Sequence, residues 1–167
     1  HEVDLDILRA SGWYYTEGYL VTSDTARVAA IDARQAAEHA GVKTALSLSD
    51  PNMVKFFKKG LQDMIGEGVD LVFANEHEAK GMAETEDLSE AVAYLKTIAR
   101  EFAITRGPAG ALVFDGEALI EIDPIPVKAV DTLGAGDMFA GAFLYGLSQG
   151  WDHKRSGDLA SRASAKL

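Results

Sequence analysis

The chain has 167 residues, 47% of them hydrophobic and 25% charged, enough apolar material for one globular domain with its own core. Its formal charge of -10 argues against a nucleic-acid partner or an anionic membrane surface, because neither attracts an acidic protein. Cysteine is absent, which excludes a disulfide framework, thiolate catalysis and cysteine metal sites, and fits a cytoplasmic setting. No apolar run approaches the ~18 residues of a membrane span, and no signal peptide opens the chain. There is no initiator Met, and the chain stops inside a helical pattern at LASRASAKL, so a piece of a longer protein is expected.

In chain order, WYYTEGYL is aromatic-rich and reads as a strand running into a turn at Gly18. Helical spacing runs from Ser23 to His39, with Val28, Ile31 and Ala36 on an apolar face and Gly41 as the stop. VKTALSLSD is a short strand closed by Asp50 and Pro51. MVKFFKKGLQDMI is an amphipathic helix with Lys55, Lys58 and Lys59 on its wet side. VDLVFAN is a compact apolar run of the kind a buried parallel strand shows. Helices are predicted around Glu76 to Met82 and Leu88 to Arg100. FAITRG, GALVFDG and ALIEID follow as closely spaced strands, Pro124 and Pro126 break the chain, and helices run from Ala135 to Leu147 and from Asp152 onward. The alternation predicts a single α/β domain over residues 1–167, with a mainly parallel sheet flanked by helices and antiparallel strands added late.

DTLGAGD, residues 131–137, places Gly134, Ala135 and Gly136 where a helix begins. The first N–H groups of a helix lack intrahelical partners and the helix dipole favours negative charge there, so the stretch suits a phosphate. A glycine-rich turn, with Asp137 as a favourable first-turn carboxylate, explains the same residues equally well. No G-x-x-x-x-G-K-[ST] occurs, and Phe139 stands where G-x-G-x-x-G needs its third glycine, so two familiar phosphate loops are excluded. NEHE follows a strand whose carboxyl end faces the ligand crevice in open α/β sheets. There Asn75 and Glu78 suit Mg²⁺ held through water, but their spacing is also that of a capping box. In TRG, Thr105 offers a hydroxyl and Gly107 a bare amide to a phosphate oxygen, with Arg106 between them. A tight connection between strands accounts for the same glycine. His39 and His153 are scattered, and neither a metal constellation nor a Ser-His-Asp arrangement emerges. Phe139, Phe143 and Leu147 share the core face of their helix.

DTLGAGD resembles, at every defined position, the D-T-x-G-A-G-D signature of the ribokinase (PfkB-type) family of carbohydrate and nucleoside kinases. NEHE matches that family's N-x-x-E and TRG its T-x-G, in the same order. EGYLVTSDTARVAA and ALSLSDP look most like adenosine-kinase-like members. The resemblance implies a ribokinase-like fold and ATP-dependent phosphoryl transfer to a hydroxymethyl group of a nucleoside or sugar. It casts Asp137 as the base and Gly134, Ala135 and Gly136 as the anion hole. Asn75 and Glu78 would organise Mg²⁺, Thr105 and Gly107 would touch ATP phosphates, and Asp131 with the Leu133 carbonyl would match part of a K⁺ site. Family members are nearly twice this length, so the acceptor-binding half is expected to lie outside the segment, which alone would turn over little. Adenosine is the favoured acceptor; a ribose or fructose kinase and a non-catalytic nucleotide-binding module are the alternatives. The implied partner is a small nucleoside or sugar, with a homodimer among the assemblies open to it.

Overall fold

In a computed structural model, residues 3–126 and 134–166 are described. Six strands form one sheet in strictly sequential order: β1 (Trp13–Glu17), β2 (Lys43–Ser47), β3 (Val69–Asn75), β4 (Ala99–Thr105), β5 (Ala111–Phe114) and β6 (Leu119–Ile122). β1 to β4 are parallel, and β4–β5 and β5–β6 pair antiparallel. The mixed sheet therefore has the character the strand spacing predicts.

The parallel strands are joined by α2 (Asp24–His39), α3 (Pro51–Ile65) and the pair α4 (Glu76–Ala83) and α5 (Leu88–Ile98). Each crossover moves one strand further in the same direction. Crossovers of one hand then place all these helices on a single face. That face is packed by Leu46, Val72, Phe102 and Ile104 from the strands against Leu61, Met64, Met82 and Leu95 from the helices. The residues between them in sequence point the other way. Ala45, Leu71, Phe73 and Ala103 meet Phe139 and Phe143 of α6 (Ala135–Ser148) and Ala160 of α7 (His153–Ser164).

Four details differ from the sequence reading. A short helix, α1 (Leu5–Arg9), precedes the first strand; Asp4 caps it by accepting from the N–H groups of Asp6 and Ile7. The buried face of α2 is Ala30, Ala33, Arg34 and Ala37, while Val28 is 46% exposed. Small alanines let α2 lie close to its neighbours, so the stripe of packing follows them rather than the bulkiest residue. The α3 helix begins two residues earlier than expected, with Pro51 in its first turn and Asp50 accepting from Asn52 N–H. Of its three lysines, Lys58 lies back against the surface and donates to Glu84 at 2.9 Å. Leu88 to Arg100 is divided: the helix ends at Ile98, and Ala99 and Arg100 open β4.

The β4–β5 connection is held by Arg106 N–H donating to Gly110 O at 2.8 Å. Gly110 has φ +82, and a Cβ there would lie 2.1 Å from the Ile122 carbonyl oxygen, a backbone atom that cannot step aside. Gly110→Ala is expected to destabilise the chain by about 3 kcal/mol, read as a fall in Tm of roughly 10 °C. A Tm within 2 °C of the parent, on the order of half a kcal/mol, would show that the turn adapts.

Candidate active site

The carboxyl ends of β1 to β4 and the amino end of α6 converge on one edge of the sheet. At the end of β3, Asn75 is the N-cap of α4. Its side-chain carbonyl accepts from Glu78 N–H at 2.9 Å, and Glu78 answers by accepting from Asn75 N–H at 2.8 Å. A third bond runs from Asn75 Nδ2 to Glu78 Oε1 at 2.7 Å. The capping box is thus complete.

Its carboxylate has an unusual setting for a cap. Glu78 is 4% exposed, and no cation pairs with it among the described residues. Burial pushes its pKa up to about 7; the Asn75 amide opposes this, and Asp50 and Glu17 add to it. A buried carboxylate facing other carboxylates fits a hydrated Mg²⁺ held through water, since that ion needs only one or two carboxylates and takes its other ligands from water and phosphate. Among the described residues no group of three or more His, Asp or Glu is arranged to ligate a bare metal ion. The site fits Mg²⁺ brought in with a polyphosphate.

On the next strand, Thr105 stands in register beside Asn75 at the end of β4 and is half-buried. Gly107, with φ +53, opens a 3-10 turn and is exposed. Arg106, between them, is turned aside: its Nη2 donates to Ala109 O and to the Glu121 carboxylate on β6.

Gly134 caps α6 with φ +78, the left-handed conformation glycine adopts freely, and among the described residues no side chain bonds to the first-turn N–H groups. Among the described residues, a Cβ at Gly134 or Gly136 would meet nothing within 4 Å. Ser164 of α7 donates to Ala135 O at 3.0 Å and anchors that mouth. Asp137 lies exposed in the first turn. Asp131 and Leu133, on which the K⁺ expectation falls, lie outside the described residues.

Two residues the motifs did not single out join this edge. Glu17 ends β1, half-buried; Ser49 Oγ donates to its Oε2 at 2.7 Å and the Tyr15 phenol donates to its Oε1. Asp50 follows β2. Their proximity to the motif residues shows in the tyrosines. Tyr15 is raised far above the usual phenol range, first by burial and by Glu17, with Asp137 adding. Tyr19 is raised by desolvation, then by Asp50, Asp137, Glu78 and Glu17. The sequence signal for Glu17 was a carboxylate closing an aromatic strand just before a glycine.

This is an α/β fold with its candidate site at the carboxyl edge of the parallel strands, and its architecture is ribokinase-like. The chain belongs to the pfkB family of carbohydrate kinases, which it matches over residues 1–167. It is 41% identical over 96 residues to a ribokinase from Lactococcus lactis, covering 58% of this chain and 31% of that protein. A probable sugar kinase from Rhizobium etli superposes with a TM-score of 0.92 at 33% identity, covering 98% of this chain and 50% of that one. The adenosine kinase from Sinorhizobium meliloti gives 0.91 at 32% identity, covering 97% and 50%. The chain spans half the length of these two structures.

Proposed function

We propose that the chain is the nucleotide-binding and catalytic part of an ATP-dependent kinase that phosphorylates a hydroxymethyl group of a nucleoside or sugar. The observation that carries this is the convergence, on one edge, of the α6 amino end with Asp137, the Asn75–Glu78 box and the Thr105–Gly107 turn.

In this reading Asp137 accepts the proton of the acceptor hydroxyl. The hydroxyl oxygen forms a bond to the γ-phosphorus of ATP as the bond from that phosphorus to the bridging oxygen breaks, and ADP leaves with that electron pair. The N–H groups over Gly134, Ala135 and Gly136 hold the equatorial oxygens of the migrating group, where negative charge spreads. Thr105 and Gly107 offer a hydroxyl and an amide to the remaining phosphates. Asn75 and Glu78 would hold Mg²⁺ through water; the chemistry it supplies when bound is neutralisation of phosphate charge. Glu17, each of whose oxygens accepts one hydrogen bond among the described residues, faces the acceptor side as a hydrogen-bond acceptor for its hydroxyls.

Adenosine is the favoured acceptor, supported by the likeness to the Sinorhizobium meliloti enzyme. Ribose is the second reading, favoured by the identity with the Lactococcus lactis ribokinase. ADP release by the full-length protein, with ATP and Mg²⁺ and with adenosine, ribose or no acceptor, tests it. Acceptor-dependent release is expected, strongest with adenosine. Preference for ribose would correct the acceptor, and release independent of any acceptor would remove the kinase reading.

A further inference from the structure

Glu17 is held from two sides by hydroxyls outside the DTLGAGD, NEHE and TRG motifs. The Tyr15 phenol, two residues back on the same face of β1, donates to one oxygen. Its ring is fixed in turn by an edge-on contact with Phe73, at 6.3 Å between centroids. Ser49 reaches across from the end of β2 and donates to the other oxygen at 2.7 Å.

The backbone at Ser49 makes this second bond informative. Its φ is +69, in the left-handed region that a residue with a side chain enters only at a cost. Glycine would enter freely. It would also lose the hydroxyl, and the chain has serine. Ser49 is further tied down by its N–H, which donates to Ser47 Oγ at 3.1 Å. A strained residue whose side chain fixes a carboxylate at the carboxyl edge of the parallel strands marks a place where position matters more than local stability.

We propose that Tyr15 and Ser49 are positioning residues that clamp the Glu17 carboxylate as a rigid hydrogen-bond acceptor for the sugar hydroxyls of the incoming substrate. Each clamp bond uses one lone pair of one oxygen, and the carboxylate keeps one on each for a pair of neighbouring hydroxyls. Two fixed acceptors side by side suit a polyol or ribosyl group and leave a lone alcohol underbound. The clamp acts on the acceptor and not on ATP, whose phosphates meet the α6 mouth and the β4–β5 turn. The inference rests on the kinase reading above.

Ser49→Gly separates function from stability at this position, because glycine relieves the backbone while removing the bond. In the full-length protein, with adenosine and ribose as acceptor probes, Ser49→Gly is expected to keep or raise Tm. Its acceptor KM should rise about tenfold, with the ATP KM unchanged within twofold. Ser49→Ala, which loses the hydroxyl but keeps the strain, should show the same rise in acceptor KM at lower Tm. Tyr15→Phe should follow, and Glu17→Gln should lose more than either. Acceptor KM within twofold of wild type in Ser49→Gly and Tyr15→Phe would overturn the clamp. So would a parallel rise of both KM values. Wild-type protein that phosphorylates neither probe would remove both the kinase reading and the clamp, whereas an active wild type with indifferent variants removes the clamp alone.

Discussion

Asp137→Asn should lower kcat in the full-length protein by about 10²–10⁴ and leave the ATP dissociation constant nearly unchanged. The substitution keeps the shape of the side chain and removes its ability to take a proton. Asp137 is exposed on the first turn of α6, so the fold should survive. The ATP phosphates are assigned to backbone amides and to the β4–β5 turn, which the substitution does not touch. If Asp137 served only the helix dipole, its loss would cost about 0.3–1 kcal/mol of stability and turnover would be near normal. Measuring kcat, the ATP dissociation constant and Tm of this one variant separates the two roles. A folded Asp137→Asn protein working within a factor of about ten of wild type would end the general-base assignment.

The parallel part of the fold was legible because each strand is a short segment with an apolar centre, and a helical pattern lies between it and the next. VDLVFAN could be placed as an interior strand for that reason, and it pairs in parallel on both sides. The helix face of α2 was harder. Alanine carries little hydrophobic signal, yet Ala30, Ala33 and Ala37 make the contact and the larger Val28 does not. At the site, DTLGAGD, NEHE and TRG were legible as local motifs, since each groups its groups within a few residues. Glu17 was not, because what makes it notable arrives from far away. Its partner Ser49 is 32 residues distant, on the neighbouring strand's end. Local spacing also could not choose between a cap and a metal carboxylate at Asn75 and Glu78. The structure shows the cap complete, and the same geometry buries the carboxylate that the metal role needs.

That burial gives Glu78 a measurable signature in the chain without metal or nucleotide. Its pKa is raised from the ordinary 4.5 to about 7, chiefly by burial. In this interval the folded state holds a proton that the unfolded state has released. Stability from this group is therefore fully present below about pH 4.5 and lost as pH rises through about 7. The loss should be on the order of 2–3 kcal/mol across that window, an upper range for one group. The readout is the difference between wild type and Glu78→Gln. Gln cannot ionise, and one bond to the Asn75 amide is replaced by a less favourable contact, a loss of about 1 kcal/mol that does not depend on pH. Wild type should then be the more stable protein at pH 5, by denaturant unfolding in EDTA, and its advantage should vanish or reverse by pH 8. A constant difference across that range would mean that Glu78 remains ionised in the folded chain and acts as an ordinary cap. Where the advantage does vanish, adding Mg²⁺ with ATP at pH 8 should restore stability to wild type more than to Glu78→Gln, because a cation coupled to the carboxylate relieves the same unpaired charge.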